Sequence, residues 1–240
     1  MMVSQTVGRS RVALEICVES AVGAAAAIAG GCDRIELCSA LALGGLTPSA
    51  GLVAEVLALA VPAGVPVRAI VRPRAGGFDY DAEDMVLALA EARALVAAGV
   101  QGLVFGATAG GKLAEREMRA WIAGLGEDRP PLTLHRAIDV VADPVAAVDV
   151  AVSLGFDHVL TSGGARTAME GGRRRSRRWL RARRGVARSW RGGGGGGRHG
   201  RPAAGCDQCG RAARLGQRSC ADSGAGPLRL RSAAAPDQCQ

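Results

Sequence analysis

The chain has 240 residues, 48% hydrophobic but only 3% aromatic, so it can bury a sizeable core, built from Ala, Val, Leu and Ile. Its formal charge of +8 joins two unlike parts: residues 1–170 carry 13 basic groups against 19 acids, and residues 171–240 carry 17 arginines against three acids. The longest apolar stretch, LVAEVLALAVPAGVPVRAIV, is broken by Glu55, Pro62 and Pro66, and the first 17 residues have no leader pattern, so neither membrane insertion nor secretion is expected.

The predicted elements alternate along the body. VALEICV (12–18) reads as a strand, and a helix follows from an N-cap at Ser20 to Gly30. DRIELC (33–38) is the second strand. The TPS turn then opens the helix SAGLVAEVLALA. PVRAIVR (66–72) precedes DAEDMVLALAEARALVAAG, a helix with acids in its first turn and Gly99 at its end. VQGLVFG (100–106) and LTLHRA (132–137) are the fourth and fifth strands. DPVAAVDVAVSLG is a helix with Asp143 as N-cap and Pro144 at its first position. DHVLTS (157–162) is the sixth strand.

Strand starts are spaced by 21–34 residues, the length of a βα unit. Six such units imply parallel strands with right-handed crossovers. At this spacing eight units would take roughly 250 residues, the usual size of a (β/α)8 barrel of the TIM type. A doubly wound sheet competes, but the first βα turn, VESAVG, lacks the GxGxxG fingerprint. The expectation is an incomplete (β/α)8 TIM-barrel domain over 1–170.

After residue 170 the pattern stops. Residues 171–240 are Arg/Gly-rich, with six consecutive glycines at 192–197. A GC-rich gene read out of frame yields such residues, and a one-base shift of GC-rich codons for Arg188–Arg191 reads Ala-Ile-Val-Ala, a strand-like run. The expectation is a reading-frame slip near Gly171–Gly172 and a low-complexity, disordered tail. An RNA-binding tail would instead repeat RGG with Phe or Tyr, which this one lacks, so nucleic acid is not an expected partner. Cys206 and Cys209, with Cys220 and Cys239, lack the second CxxC of a zinc ribbon. Seven cysteines in all, an odd number, suit free thiols in a reducing, cytoplasmic setting.

The blocks LEICVES, DRIELC, GGLTPS, IVRPRAGGFDY, GLVFGA, HRAIDVVADP and VLTSGG occur in this order between about Val12 and Glu170. In them the body resembles the CutC copper homeostasis family. The resemblance implies a (β/α)8 barrel, copper binding, a cytoplasmic location and a homo-oligomer. The family's later blocks do not appear after residue 170.

Two site chemistries are open. Strand alternation puts Glu15 with Cys17, and Arg34 and Glu36 with Cys38, on shared faces. Cys17 and Cys38 near adjacent strand ends suit Cu(I), which accepts two-coordinate sulfur. They also stand at the LEIC and RIELC positions of the resemblance. The competing reading is that both are small buried hydrophobes, as cysteines outside disulfides commonly are. Cys32, on the turn at the opposite end, is expected to be structural.

The alternative is a barrel enzyme acting on a small anionic metabolite. Glu15, Glu36 and His135 are its candidate catalytic groups. Arg72 and Arg74, stiffened by Pro73, are expected to clamp a carboxylate or phosphate with Arg136 and Ser162. The competing reading of these charges is a paired network inside the barrel. Asp139 is read as a turn or cap. GGFDYD (76–81) is either a loop that closes over a ligand or one that packs on the rim.

Overall fold

All six expected strands form, and all lie in one parallel sheet. The computed structural model describes residues 13–171. In chain order these are β1 (Glu15–Val18), α1 (Ala21–Ala29), β2 (Arg34–Leu37), α2 (Ala50–Ala60), β3 (Val67–Ile70), α3 (Ala82–Ala98), β4 (Gly102–Phe105), β5 (Thr108–Ala109), β6 (Lys112–Leu113), α4 (Glu115–Leu125), β7 (Leu132–Leu134), α5 (Pro144–Ser153) and β8 (His158–Val159). The sheet order β1-β2-β3-β4-β7-β8 is that of a curled half-barrel, a partial TIM barrel with its helices outside. The expected frame slip, the RNA-binding alternative and the Cys206–Cys209 motif concern residues outside those described.

The local signals act as expected. Ser20 Oγ accepts from Gly23 N at the start of α1. Asp81 and Asp84 form a reciprocal capping box on α3, which ends in Gly99 at φ +97°. Asp143 accepts from Val145 N and Ala146 N ahead of Pro144. Two features were not individually expected. One is α4. The other is the β5–β6 hairpin, whose turn residues Gly110 (φ +55°) and Gly111 (φ +73°) supply the two positive φ angles of a tight hairpin.

The sheet separates two environments. Its outer face carries Ile35, Leu37, Val67, Ala69, Leu103, Phe105, Leu132 and Leu134, all fully buried. They pack against Val53, Val56, Ala88, Ala92, Met118, Trp121 and Ala151 of the helices. Burying each large aliphatic side chain contributes about 1.5–3 kcal/mol. Phe105 stacks on Trp121 with centroids 4.1 Å apart, so the few aromatics are concentrated between β4 and α4.

The inner face is different. Register places Glu15 beside Arg34, and above them Cys17, Glu36, Arg68 and Gly102 in a row. The next row holds Cys38, Ile70, Val104, Thr133 and His158. Arg72, Gly106 and His135 follow at the strand ends.

Glycines on the inner face of β4 and just past its end make room for these long side chains. A Cβ on Gly102 would lie 2.6 Å from Arg68 Cγ, and one on Gly106 would lie 2.8 Å from His135 Nδ1. Gly102→Ala and Gly106→Ala are therefore expected to lower stability by about 1–3 kcal/mol each through overpacking. The urea midpoint measures this. An unchanged midpoint would mean that Arg68 or His135 can yield without cost.

Candidate functional site

The lower inner face is an ion and hydrogen-bond network. Arg34 Nε pairs with Glu15 Oε2. Arg68, 6% exposed, donates from Nη1 to Thr133 Oγ1 and, at 3.1 Å, to His158 Nδ1. Because Arg only donates, His158 accepts as a neutral ring. Burial, reinforced by Arg68 and Arg34, pushes its pKa down to about 4. Burial likewise lowers Arg68 from the ordinary guanidinium value, with Arg34 adding to the effect.

The sulfur groups lie just above. Cys17 stands opposite Glu36 on the neighbouring strand, and Cys38 follows Glu36 by two residues. Cys38 Sγ donates to Glu36 Oε1 at 3.9 Å. Cys38 is buried, Cys17 partly exposed, and neither is in a disulfide. The Gly44–Gly45 turn roofs Cys38: both glycines have φ +88°, and a Cβ on Gly45 would press on Sγ at 3.3 Å. Cys32 is buried at the other end of the sheet, in the helix-side core, which matches its structural reading. Among the described residues no group of three or more His, Cys, Asp or Glu has an arrangement that could hold a metal ion.

The strand-end mouth is covered by residues 73–81. Arg72 donates from Nη1 to the carbonyls of Leu43 (2.8 Å) and Gly45 (2.9 Å), and from Nη2 to that of Gly76 (2.7 Å). Phe78 lies between Arg72, whose Cζ is 5.2 Å from the ring centroid, and His135, at a 4.6 Å centroid separation. Thr108 N donates to Phe78 O, and Thr108 Oγ1 to Asp79. The GGFDYD segment thus packs on the rim.

His135 is 2% exposed. Its Nδ1 accepts from Ala137 N at 3.2 Å, which puts the ring proton on Nε2. Burial, helped by the Arg72 charge, pushes its pKa down to about 3. At neutral pH the ring is a hydrogen-bond donor at Nε2, with neither a charge nor a free lone pair for proton transfer. That departs from the expected general acid or base.

The remaining candidates are placed differently from expectation. Arg74 turns outward to Asp84 (2.7 Å) and over Tyr80, because β3 ends at Ile70 and Pro73 breaks the alternation that would align it with Arg72. Arg136 and Ser162 do converge, but on an internal anion. Asp139 accepts from Thr161 Oγ1, Ser162 N, Ser162 Oγ and Gly164 N, and pairs with Arg136 Nε. Burial alone would raise Asp139, but these bonds outweigh it and hold its pKa below the usual value. Asp139 therefore fixes the whole TSGG loop and is more than a cap.

Glu15 opens β1, at the far end from the mouth. Glu36 lies two rows below His135, about 13 Å along the strands. The three expected catalytic groups do not meet. His158 was missed, although its alternation with Leu160 and Ser162 on the sixth strand marked the inner face.

Both inner-face histidines favour the neutral form when folded. Their contribution is complete above the unfolded value of 6.5 and is lost as pH falls toward about 4 for His158 and about 3 for His135. Urea unfolding between pH 7.5 and 5 should show declining stability, less steep in His135→Asn, which keeps an acceptor for Ala137 N. An equal slope in both proteins would refute this assignment.

A sequence model described as the CutC family matches residues 12–184, extending past the position near Glu170 where the strand pattern stops. A CutC family protein of Rhizobium meliloti is 50% identical over 165 residues, 67% of this chain and 64% of that one. A human copper homeostasis protein cutC homolog is 42% identical over 159 residues, 66% of this chain and 56% of its own. The chain thus spans less than two thirds of the length of these relatives. The solved CutC structure from Streptococcus agalactiae superposes with a TM-score of 0.63 at 26% identity, covering 67% of this chain and 78% of that one. The expected blocks, the half-barrel and these matches agree: the chain belongs to the CutC family.

Proposed function

We propose that this chain handles copper as Cu(I), with Cys17 and Cys38 as the thiolate pair that receives it. The observation that carries this is their position on one inner face, in adjacent parallel strands, on either side of Glu36. Two soft sulfur donors suffice for Cu(I), which does not need the larger ligand set of harder ions. Binding requires the thiols to lose their protons, and Glu36 Oε1, already accepting from Cys38 Sγ, is placed to take one. The partial exposure of Cys17 provides the entry side. The work is done in a reducing cytoplasm, where the thiols stay reduced, and by a homo-oligomer. Among the described residues no helix is long and apolar enough to cross a membrane.

The alternative enzyme reading has less support: Arg74, Arg136 and Ser162 serve internal carboxylates, and His135 is held neutral.

Anaerobic competition with a Cu(I) chelator tests the proposal. Cys17→Ser and Cys38→Ser should each abolish tight binding. Glu36→Gln, which keeps the shape but cannot take the proton, should weaken it about 10–100-fold. Unchanged Cu(I) affinity in the double Ser variant would defeat the proposal.

A further inference from the structure

Three of the four side chains expected to meet an external anion already have an internal carboxylate: Asp84 for Arg74, and Asp139 for Arg136 and Ser162. Arg72 is the exception. It is 5% exposed, and no carboxylate among the described residues lies within 4.0 Å of its guanidinium. Three backbone carbonyls hold its terminal nitrogens, while Nε is buried without an acceptor. Tyr80 supplies no negative charge, since burial pushes its phenol up to about 12. Besides those carbonyls Arg72 meets the Phe78 ring and the neutral Tyr80 hydroxyl; a buried cation with no anion is costly, and native proteins normally give it one.

A second donor lies against the same aromatic ring. His135 Nε2–H is buried and also has no acceptor. It points away from the Nδ1 edge, which is occupied by Ala137 N and Gly106. Phe78 touches both His135 and Arg72. Its backbone is fastened through Thr108, but its side chain is only half-buried, so the ring can rotate outward without lifting the loop.

We infer that the strand-end mouth is a binding site for a small carboxylate, whose oxygens accept from Arg72 Nε–H and His135 Nε2–H once the Phe78 ring swings aside. The donor pair explains the ligand class: one charged and one neutral N–H match the oxygens of a small oxyanion. The neutral imidazole is suited to this role because it donates without adding a second positive charge beside Arg72. The site is separate from the sulfur pair and does not depend on copper. Cys38, Ile70 and Val104 form the apolar layer beneath it.

The test uses the full 240-residue chain without copper, titrated with pyruvate and separately with inorganic phosphate at constant ionic strength. Imidazole nitrogens are followed by NMR and affinity by calorimetry. Pyruvate should saturate and shift the His135 Nε2 resonance. His135→Asn keeps the acceptor for Ala137 N but lacks the distal N–H, and should weaken binding about tenfold or more. His135→Gln, which restores an N–H near the Nε2 position, should stay within about threefold of the unaltered chain. Phe78→Ala should tighten binding. Phosphate binding with the same variant pattern would support the oxyanion site while assigning it a phosphorylated ligand. The proposal fails if neither anion shifts the His135 resonance of the unaltered chain up to about 10 mM, weaker than any specific site of this kind. It also fails if folded His135→Asn binds as tightly as the unaltered chain.

Discussion

Arg68 ties four strands together from inside the curl. It starts on β3, lies over the bare face of Gly102 on β4, and donates to Thr133 on β7 and His158 on β8. In a flat sheet β3 and β8 would be three strand spacings apart, about 14 Å, with side chains standing off the sheet rather than reaching along it. The contact exists because the sheet is curved, and it favours that curvature in return. It also sets conditions on its neighbours. Residue 102 must lack a side chain, residue 133 must offer a hydroxyl, and His158 must stay neutral to accept.

The same curvature divides the molecule chemically. Outside, Ala, Val and Leu on the strands meet Ala-rich helix faces, and the small side chains let the helices approach closely. Inside, the charged lower rows are capped by a thin apolar layer of Cys38, Ile70 and Val104, with Leu41 packed on it. The thiols therefore lie at a boundary between an ion network below and a covered mouth above. In the proposed copper role this boundary matters: Glu36, in the row beside Arg68, accepts from Cys38 Sγ, while the Gly44–Gly45 turn packs over that sulfur.

Internal carboxylates already engage two of the three arginines that follow the strand ends. Asp139 occupies the loop amides and hydroxyls that an external oxyanion would use, and it takes Arg136 with them. Asp84 does the same for Arg74 at the start of α3. Of these three strand-end arginines, Arg72 is the one held by carbonyls rather than by a carboxylate. The distinction is invisible in composition, since all three arginines follow strands and look alike in sequence.

Much of the fold was legible in the chain. Ser20, Asp81 and Asp143 ahead of apolar runs fixed helix starts, Gly99 fixed a helix end, and six β-rich runs fixed six parallel strands, because these signals act within a few residues of themselves. Alternation also identified correctly which residues face inward, Cys17 with Glu36 and Arg68 among them. What alternation could not supply was height along the barrel and the partner across it. Glu15 and His135 share a face but stand at opposite ends, and Arg72 and Arg74 share a spacing but diverge after Pro73. The Phe78 contact with His135 and the acceptor role of His158 arise from residues far apart in sequence, whereas helix α4 and the β5–β6 hairpin are local elements whose own signals were passed over. The sequence determined the elements and their faces, because those depend on local backbone preference and periodicity. Only the tertiary structure decided which charges are neutralised and which donors are left without acceptors, because that depends on where the curled sheet brings distant side chains together.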